Sequence, residues 1–427
     1  MLNAVFSRLT RAAARTIPVG EDVEALTDVG DETPGRDVEG IWAGVVDLYR
    51  SGVHPGIQLC IRHEGRVVLD RALGHARGIV PGRAPQRDAV PMHIDTPVNL
   101  FSAAKAVTAI VMHKLEGDGL LSLDEPVATY LPGFERHGKG SITLHQVLTH
   151  RAGIPVMPPE ALNLDVLDDP AAVLEYVLDL RPVRKAGGPP AYHTVSGGFV
   201  MDAVVRQLTG ASLREVLARD VKRPLGLGWF DYGVAAADTH RVAQNIMTGL
   251  RLTPALSRFM RRLLGISWDE AVALSNDPRF LAGVIPSANV IATARDTARV
   301  YQCLLDGGSL AGKRVFSRAT VEKLTHVPER KLEIDRMIGM PVRYGNGFMM
   351  GSHSISFFGW NHPNAFGHVG MSNTFTWADP DRDLVVALLT TGKPILGPHL
   401  LALPRLLAEI HRTFPVRSNP AARRRKP

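Results

Sequence analysis

Two pairs of short apolar runs, far apart in the chain, set the strongest limit on the fold. Ile57-Gln-Leu-Cys-Ile61 and Val67-Val-Leu69 flank His63-Glu64-Gly65. Asn373-Thr-Phe-Thr-Trp377 and Leu384-Val-Val-Ala-Leu-Leu389 flank Asp379-Pro-Asp-Arg382. β-Prone runs around turn residues predict hairpins. A helix over Val38 to Tyr49 precedes the first hairpin, with Val38, Ile41, Trp42, Val45 and Val46 on one face. A second, His399 to His411, closes the chain with Leu400, Leu403, Leu406, Leu407 and Ile410 apolar. Helix and hairpin at each end predict an antiparallel sheet flanked by helices.

The middle reads differently. Ala76 to Asp95 is rich in Pro, Gly and charge and reads as loop. Thr143 to Leu148, Pro170 to Leu180 and Gly198 to Leu208 carry helical periodicity. The fold class predicted is mixed α/β of the α+β type. A sheet lobe over 38–98 and 280–411 would hold an inserted helical lobe over 99–279. Residues 1–37 read as a tail and acidic linker, and 412–427 as a basic tail. A chain of 427 residues, 45% of them hydrophobic, suits one large globular unit or two intimate ones.

At the start of the inserted lobe lies Asn99-Leu-Phe-Ser-Ala-Ala-Lys105, leading into an apolar run with Val107, Ile110, Val111 and Leu115 at helical spacing. Ser102 and Lys105 stand three apart, so hydroxyl and amine share a helix face. A hydroxyl becomes a nucleophile when a neighbour takes its proton. A lysine can take it only where desolvation or nearby cations favour the neutral amine. On the tetrad alone, a capping serine and a solvated lysine are the default reading. Against it, this is the only Ser-x-x-Lys in the chain, and small or apolar residues surround Lys105.

Charge excludes one class of partner. Formal net charge is +7, but Arg412, Arg417, Arg423, Arg424, Arg425 and Lys426 supply +6 of it in a tail without acids. The remaining +1 argues against a nucleic-acid-binding core. Cys60 and Cys303 suggest neither a disulfide framework nor a zinc site. Neither His-Glu-x-x-His nor Gly-x-Ser-x-Gly occurs, so zinc hydrolysis and an α/β-hydrolase elbow lack their scaffolds. No run reaches bilayer-spanning length. Residues 1–15 lack the long apolar core of a secretory signal, which makes a cytoplasmic protein the economical expectation. Pro254 to Leu274 is a basic amphipathic stretch: Leu256, Phe259, Met260, Leu263 and Leu264 oppose Arg258, Arg261 and Arg262. Ordinary packing is its default. A weak peripheral membrane contact, aided by the terminal arginines, is the alternative.

Several motifs appear in a fixed order. Phe101-Ser-Ala-Ala-Lys105 is followed by Gly119-Leu-Leu-Ser-Leu-Asp-Glu-Pro126 and Leu148-Thr-His-Arg-Ala-Gly153. Tyr192-His-Thr-Val-Ser-Gly-Gly198 leads into Val204-Val-Arg-Gln-Leu-Thr-Gly210. Pro286-Ser-Ala-Asn-Val290 and Thr293-Ala-Arg-Asp296 precede Gly367-His-Val-Gly370 and Trp377-Ala-Asp-Pro380. Together they resemble the serine β-lactamase-related family of class C β-lactamases, D-alanyl-D-alanine peptidases and β-lactamase-fold esterases, over about Ile41 to Leu407.

That resemblance implies a β-lactamase/transpeptidase-like fold and an acyl-enzyme on Ser102, with Lys105 as its base. Tyr192 would share the proton transfer and would need cationic neighbours to do so. His368 and Gly370 would form the third motif, with Thr194 in the second. The Ser102 and Met371 N–H groups would form an oxyanion hole. No metal or organic cofactor is needed. Two departures narrow the subclass. His368 stands where β-lactamases and peptidases carry a lysine, and Thr194 where they carry asparagine. Losing a fixed positive charge disfavours carboxylate-bearing β-lactams and stem peptides, so hydrolysis of a small-molecule ester is expected, with a β-lactamase, an acyltransferase or a catalytically inactive binding scaffold as the alternatives. His193 is read as structural before chemical, and His145 and His150 as packing or turn residues. Oligomeric state is not legible.

Overall fold

The computed structural model describes residues 14–17, 22–33, 37–329 and 332–417. The basic start of the chain and the end of its basic tail lie outside the described residues. In chain order, the elements that frame the site begin with strand β1 (Thr27–Val29), helix α1 (Glu39–Arg50) and strands β2 (Gly56–His63) and β3 (Arg66–Arg77). Strand β4 (Val98–Asn99) leads through a 3-10 turn at Phe101–Ala103 into α2 (Ala104–Gly117). Then come α3 (Leu144–Leu148), α4 (Ser196–Thr209), β5 (Phe230–Tyr232), α5 (Pro254–Leu264) and α6 (Trp268–Leu274). Strand β6 (Val290–Ala292) and α7 (Ala294–Leu305) return the chain to the sheet. The last strands are β7 (Glu333–Ile334), β8 (Pro341–Tyr344), β9 (Met349–Met350), β10 (Phe366–Gly370), β11 (Thr374–Asp379) and β12 (Leu384–Thr390), followed by α8 (His399–Thr413).

The large sheet runs β7-β8-β9-β10-β11-β12-β2-β3-β1, every pair antiparallel, with Val90–Pro91 added beside β3. Chain ends meet at its centre, where Leu384 pairs with His63 and Thr390 with Ile57. These two central strands are buried on both faces, so they read as unbroken apolar runs instead of alternating ones. Ile57, Leu59, Ile61, Leu384, Val386 and Leu388 face a core shared with Trp42, Leu406 and Ile410 of α1 and α8. Cys60, Val385, Ala387 and Leu389 face the opposite core, under α7 and α2. Both cysteines are free and buried.

The two predicted hairpins form. Positive φ at Glu64 (54°) and Gly65 (80°) makes the first turn, the geometry that matches strand twist. Strand β3 is longer than its sequence signal. It runs into the region read as loop, because β1 and Val90–Pro91 pair along it. The acidic wrap also has partners: Glu32 and Glu39 both bind the Arg71 guanidinium. Pro254 to Leu274 is two helices, broken at Gly265 (φ 84°) and restarted by a capping box between Ser267 and Glu270. Its apolar residues Leu256, Met260, Leu263 and Leu264 pack with Trp268 and Val272, while Phe259 stays exposed. A small sheet, β4-β6-β5, places one strand, β5, inside the predicted helical lobe and the other two at and beyond its borders. Its strands of two and three residues are too short for a periodic signal. Among the described residues no helix is long and apolar enough to cross a membrane.

Candidate active site

The turn that carries Ser102 is held before the helix begins. Asn99 is buried and its side-chain carbonyl accepts the Phe101 N–H at 2.9 Å. The Leu100 N–H donates to the Val290 carbonyl, which ties the turn to β6. Phe101 takes a left-handed φ of 49°, a conformation a bulky residue adopts only where its surroundings impose it. Ser102 therefore sits on a tight turn and not inside a continuous helix. It is half-exposed, while Lys105 is buried one turn on.

Lys105 Nζ lies 3.3 Å from Ser102 Oγ and 3.2 Å from the Ser287 carbonyl. Burial pushes its amine down to about 7. Desolvation disfavours the ammonium, and no carboxylate offsets it there. At neutral pH much of Lys105 is a free amine beside a hydroxyl, which is the state a general base needs.

Tyr192 reaches the same point from another element. Its hydroxyl lies beside Ser102, and its ring centroid lies 4.7 Å from Lys105 Nζ. The segment carrying it is zipped onto the turn after α3. Ala191 N–H donates to the His150 carbonyl, and His193 N–H to His150 Nδ1 at 3.0 Å. His150 is itself left-handed, with φ 60°. Its ring packs tilted against Tyr192 and edge-on to Tyr344, centroids 4.7 Å apart in each case. Buried Asp335 accepts the Tyr192 N–H at 3.2 Å and the Tyr344 hydroxyl at 3.1 Å. The sequence reading asked for cationic neighbours to lower Tyr192. Burial instead pushes its phenol up, well above its ordinary value, so the free enzyme holds it protonated. Tyr192 is built to give a proton or a hydrogen bond, and Lys105 to take one.

The third motif lies on β10, against the Ser102 turn. A Cβ on Gly370 would stand 2.2 Å from the Leu100 carbonyl oxygen, so only glycine permits this approach. His368 is buried and its Nδ1–H donates to the Val369 carbonyl at 2.7 Å. Burial pushes His368 down to about 3, so it is a neutral ring at physiological pH. Met371 packs beside Met260, Trp268 and Val272, which brings α5 and α6 alongside the end of β10. The Thr194 hydroxyl donates to the Leu263 carbonyl at 2.6 Å and tethers the end of α5. His145 bonds the Asn346 side chain, and no metal-holding cluster occurs among the described residues.

Some supporting residues gave no sequence signal. The 371–373 turn carries left-handed Ser372 and Asn373, with φ 50° and 62°. The Asn373 side chain meets His54 Nε2 at 2.8 Å, and Ser372 donates to the Pro394 carbonyl. Lys393 is fully buried below Phe101, its Nζ 4.6 Å from that ring and 2.7 Å from the Thr390 carbonyl. Burial pushes this second amine down to about 7 as well. Because the folded state disfavours the charged lysine, its contribution is fully present above pH ~10.4 and is lost as pH falls toward 7. Lys393→Met should therefore gain thermal stability relative to the parent at pH 7, and the gain should shrink by pH 10. Paired melting curves across that range check the sign.

The comparisons with known proteins agree with this geometry. The Beta-lactamase family profile matches residues 38–408. The esterase/beta-lactamase LipL of Mycobacterium tuberculosis is 30% identical over 393 residues, 87% of this chain and 87% of that protein. A family VIII carboxylesterase of known structure is 28% identical, with a TM-score of 0.75 over 90% of this chain and 99% of its own. A penicillin-binding protein homolog from Caulobacter crescentus is 26% identical, with a TM-score of 0.76 over 90% of this chain and 100% of its own.

Proposed function

From the premise that the chain belongs to the β-lactamase family of serine hydrolases, we propose that it is a carboxylesterase for uncharged acyl groups. One observation carries the choice within the family. The third-motif position that would meet a substrate carboxylate is His368, a buried ring held neutral and tied to its own strand. A neutral imidazole offers no fixed charge to a penicillin or a peptide terminus. Relatives described as esterases support the same reading.

In the proposed cycle, neutral Lys105 takes the Ser102 proton as Oγ attacks the ester carbonyl. The Ser102 and Met371 N–H groups receive the oxyanion, a contact whose loss costs roughly 3 kcal/mol. Tyr192 gives its phenolic proton to the departing alkoxide and regains one from the Lys105 ammonium. Water then enters along the path the alcohol left, and the same groups work in reverse to free the acid. Met371 with α5 and α6 would form one wall of the acyl pocket. Arg258 and Arg262 remain exposed on α5. A weak contact with anionic lipid would therefore work through charge, and the esters brought within reach would be lipophilic.

The test compares p-nitrophenyl butyrate with nitrocefin on the purified chain, followed by an acyl-length series. Without a carboxylate partner worth about 3 kcal/mol, kcat/KM for the ester should exceed that for the β-lactam by roughly a hundredfold. Equal turnover of the two would overturn the carboxylesterase reading.

A further inference from the structure

Against Lys105 lies a cavity of about 30 Å³. Lys105, Thr108, His150, His193, Gly197 and Ser287 are among its lining residues. In the same measure one water molecule needs roughly 10–15 Å³ and two to four polar partners. His193 is the unusual wall. Its side chain is fully buried, yet neither ring nitrogen makes a well-formed hydrogen bond within the protein. One nitrogen lies toward the Val147 carbonyl. A neutral imidazole with its N–H turned there keeps the other nitrogen as an acceptor.

Lys105 has the complementary shortage. An ammonium carries three N–H groups. One is aimed at Ser102 and one at the Ser287 carbonyl, and the Tyr192 ring offers only its π face. The titratable groups that face Lys105 are Tyr192, His150, His193 and His368, and burial holds all four uncharged near neutrality. The charge that forms on Lys105 is thus met only by dipoles, so each dipole counts for more in this low-dielectric setting.

We propose that ordered water in this cavity links the Lys105 amine to the His193 imidazole, which makes His193 a positioning residue for the base. The water accepts one Lys105 N–H and donates to the free His193 nitrogen. With the other N–H on Ser287, the lone pair of the neutral amine is left pointing at Ser102. When Ser102 reacts, its O–H bond breaks, a third N–H forms on Lys105, and the freed oxygen pair attacks the acyl carbon. The water and His193 hold the new ammonium, and no proton enters or leaves the site. This role rests on the function proposed above.

The experiment follows fluorophosphonate labelling of Ser102 against pH, with p-nitrophenyl butyrate kinetics alongside. His193→Leu removes the acceptor at similar volume. It should slow labelling and kcat about tenfold or more, leave KM within twofold, and move the acid midpoint of labelling down by about half a pH unit, because the ammonium loses support. His193→Gln restores an acceptor and should recover part of both. Gly197→Ala narrows the cavity while keeping the imidazole in place of an apolar side chain. Its methyl would stand 3.3 Å from His193 Nδ1 and 3.3 Å from Val147, in a helix that favours alanine. It should shift rate and midpoint the same way, and it decides alone if the leucine variant does not fold. Unmoved midpoints in the folded variants, with wild-type labelling intact, overturn the role of His193. Wild-type protein that neither labels nor turns over ester overturns the proposed function itself.

Discussion

Ser102→Ala should abolish ester turnover, by roughly 10⁶-fold in kcat, while leaving the melting temperature within a few degrees of the parent. Removal of the nucleophile alone costs about that much where nucleophile and base act as one unit. The site has the geometry of such a unit. Ser102 Oγ is 3.3 Å from Lys105 Nζ, and the Tyr192 hydroxyl lies beside it. Ser102 is only half-buried and sits outside the regular helix, so its loss removes little packing. Tyr192→Phe in the Ser102→Ala background should then cost almost nothing more, although it is severe in the parent. A Ser102→Ala protein with measurable kcat near that of the parent would remove Ser102 from the mechanism. Steady-state kinetics on the four proteins, with thermal melts, settles both points.

The second large effect is on the base. Lys105→Met should lower kcat/KM by about 10⁴-fold, the upper range for loss of a positioned general base. In the parent, kcat/KM should fall about tenfold per pH unit below a midpoint near 7, the value to which burial lowers this amine. The sign follows from chemistry: the neutral amine is active, and acid protonates it. Tyr192 should contribute no alkaline limb below about pH 10, because its phenol is pushed above its ordinary value. Lys105→Met should also erase the acid limb from whatever activity is left. A pH–rate profile of parent and variant against p-nitrophenyl butyrate reads out both. An acid limb that survives in the variant with an unchanged midpoint would assign the titration to another group.

How the chain encodes its ends and how it encodes its site are different problems. Sequence by itself determined the elements whose burial is one-sided or complete over several residues. The periodic face of α1, the Glu64-Gly65 turn and the runs of β2 and β12 show in local order, because burying apolar surface demands it at regular spacing. The Ser102–Lys105 pairing was legible for the same reason, since the turn and first turn of helix set their distance locally. The partner of the Thr194 hydroxyl, the Leu263 carbonyl, is 69 positions away in the chain and leaves no local signal.

Only the tertiary structure decided the charge states. Lys105 and Lys393 are ordinary lysines in sequence, and each is lowered to about 7 by walls drawn from separate elements. Tyr192 moved the opposite way under the same burial, because desolvation always favours the uncharged form: it lowers an amine and raises a phenol. Asp335, His150 and Ser287 come from three distant segments to hold Tyr192 and Lys105 in place. Distance and dielectric are properties of the packed chain, so no local pattern records them. The residue types at the site are written in the sequence, and which of them carries the proton is set by the fold.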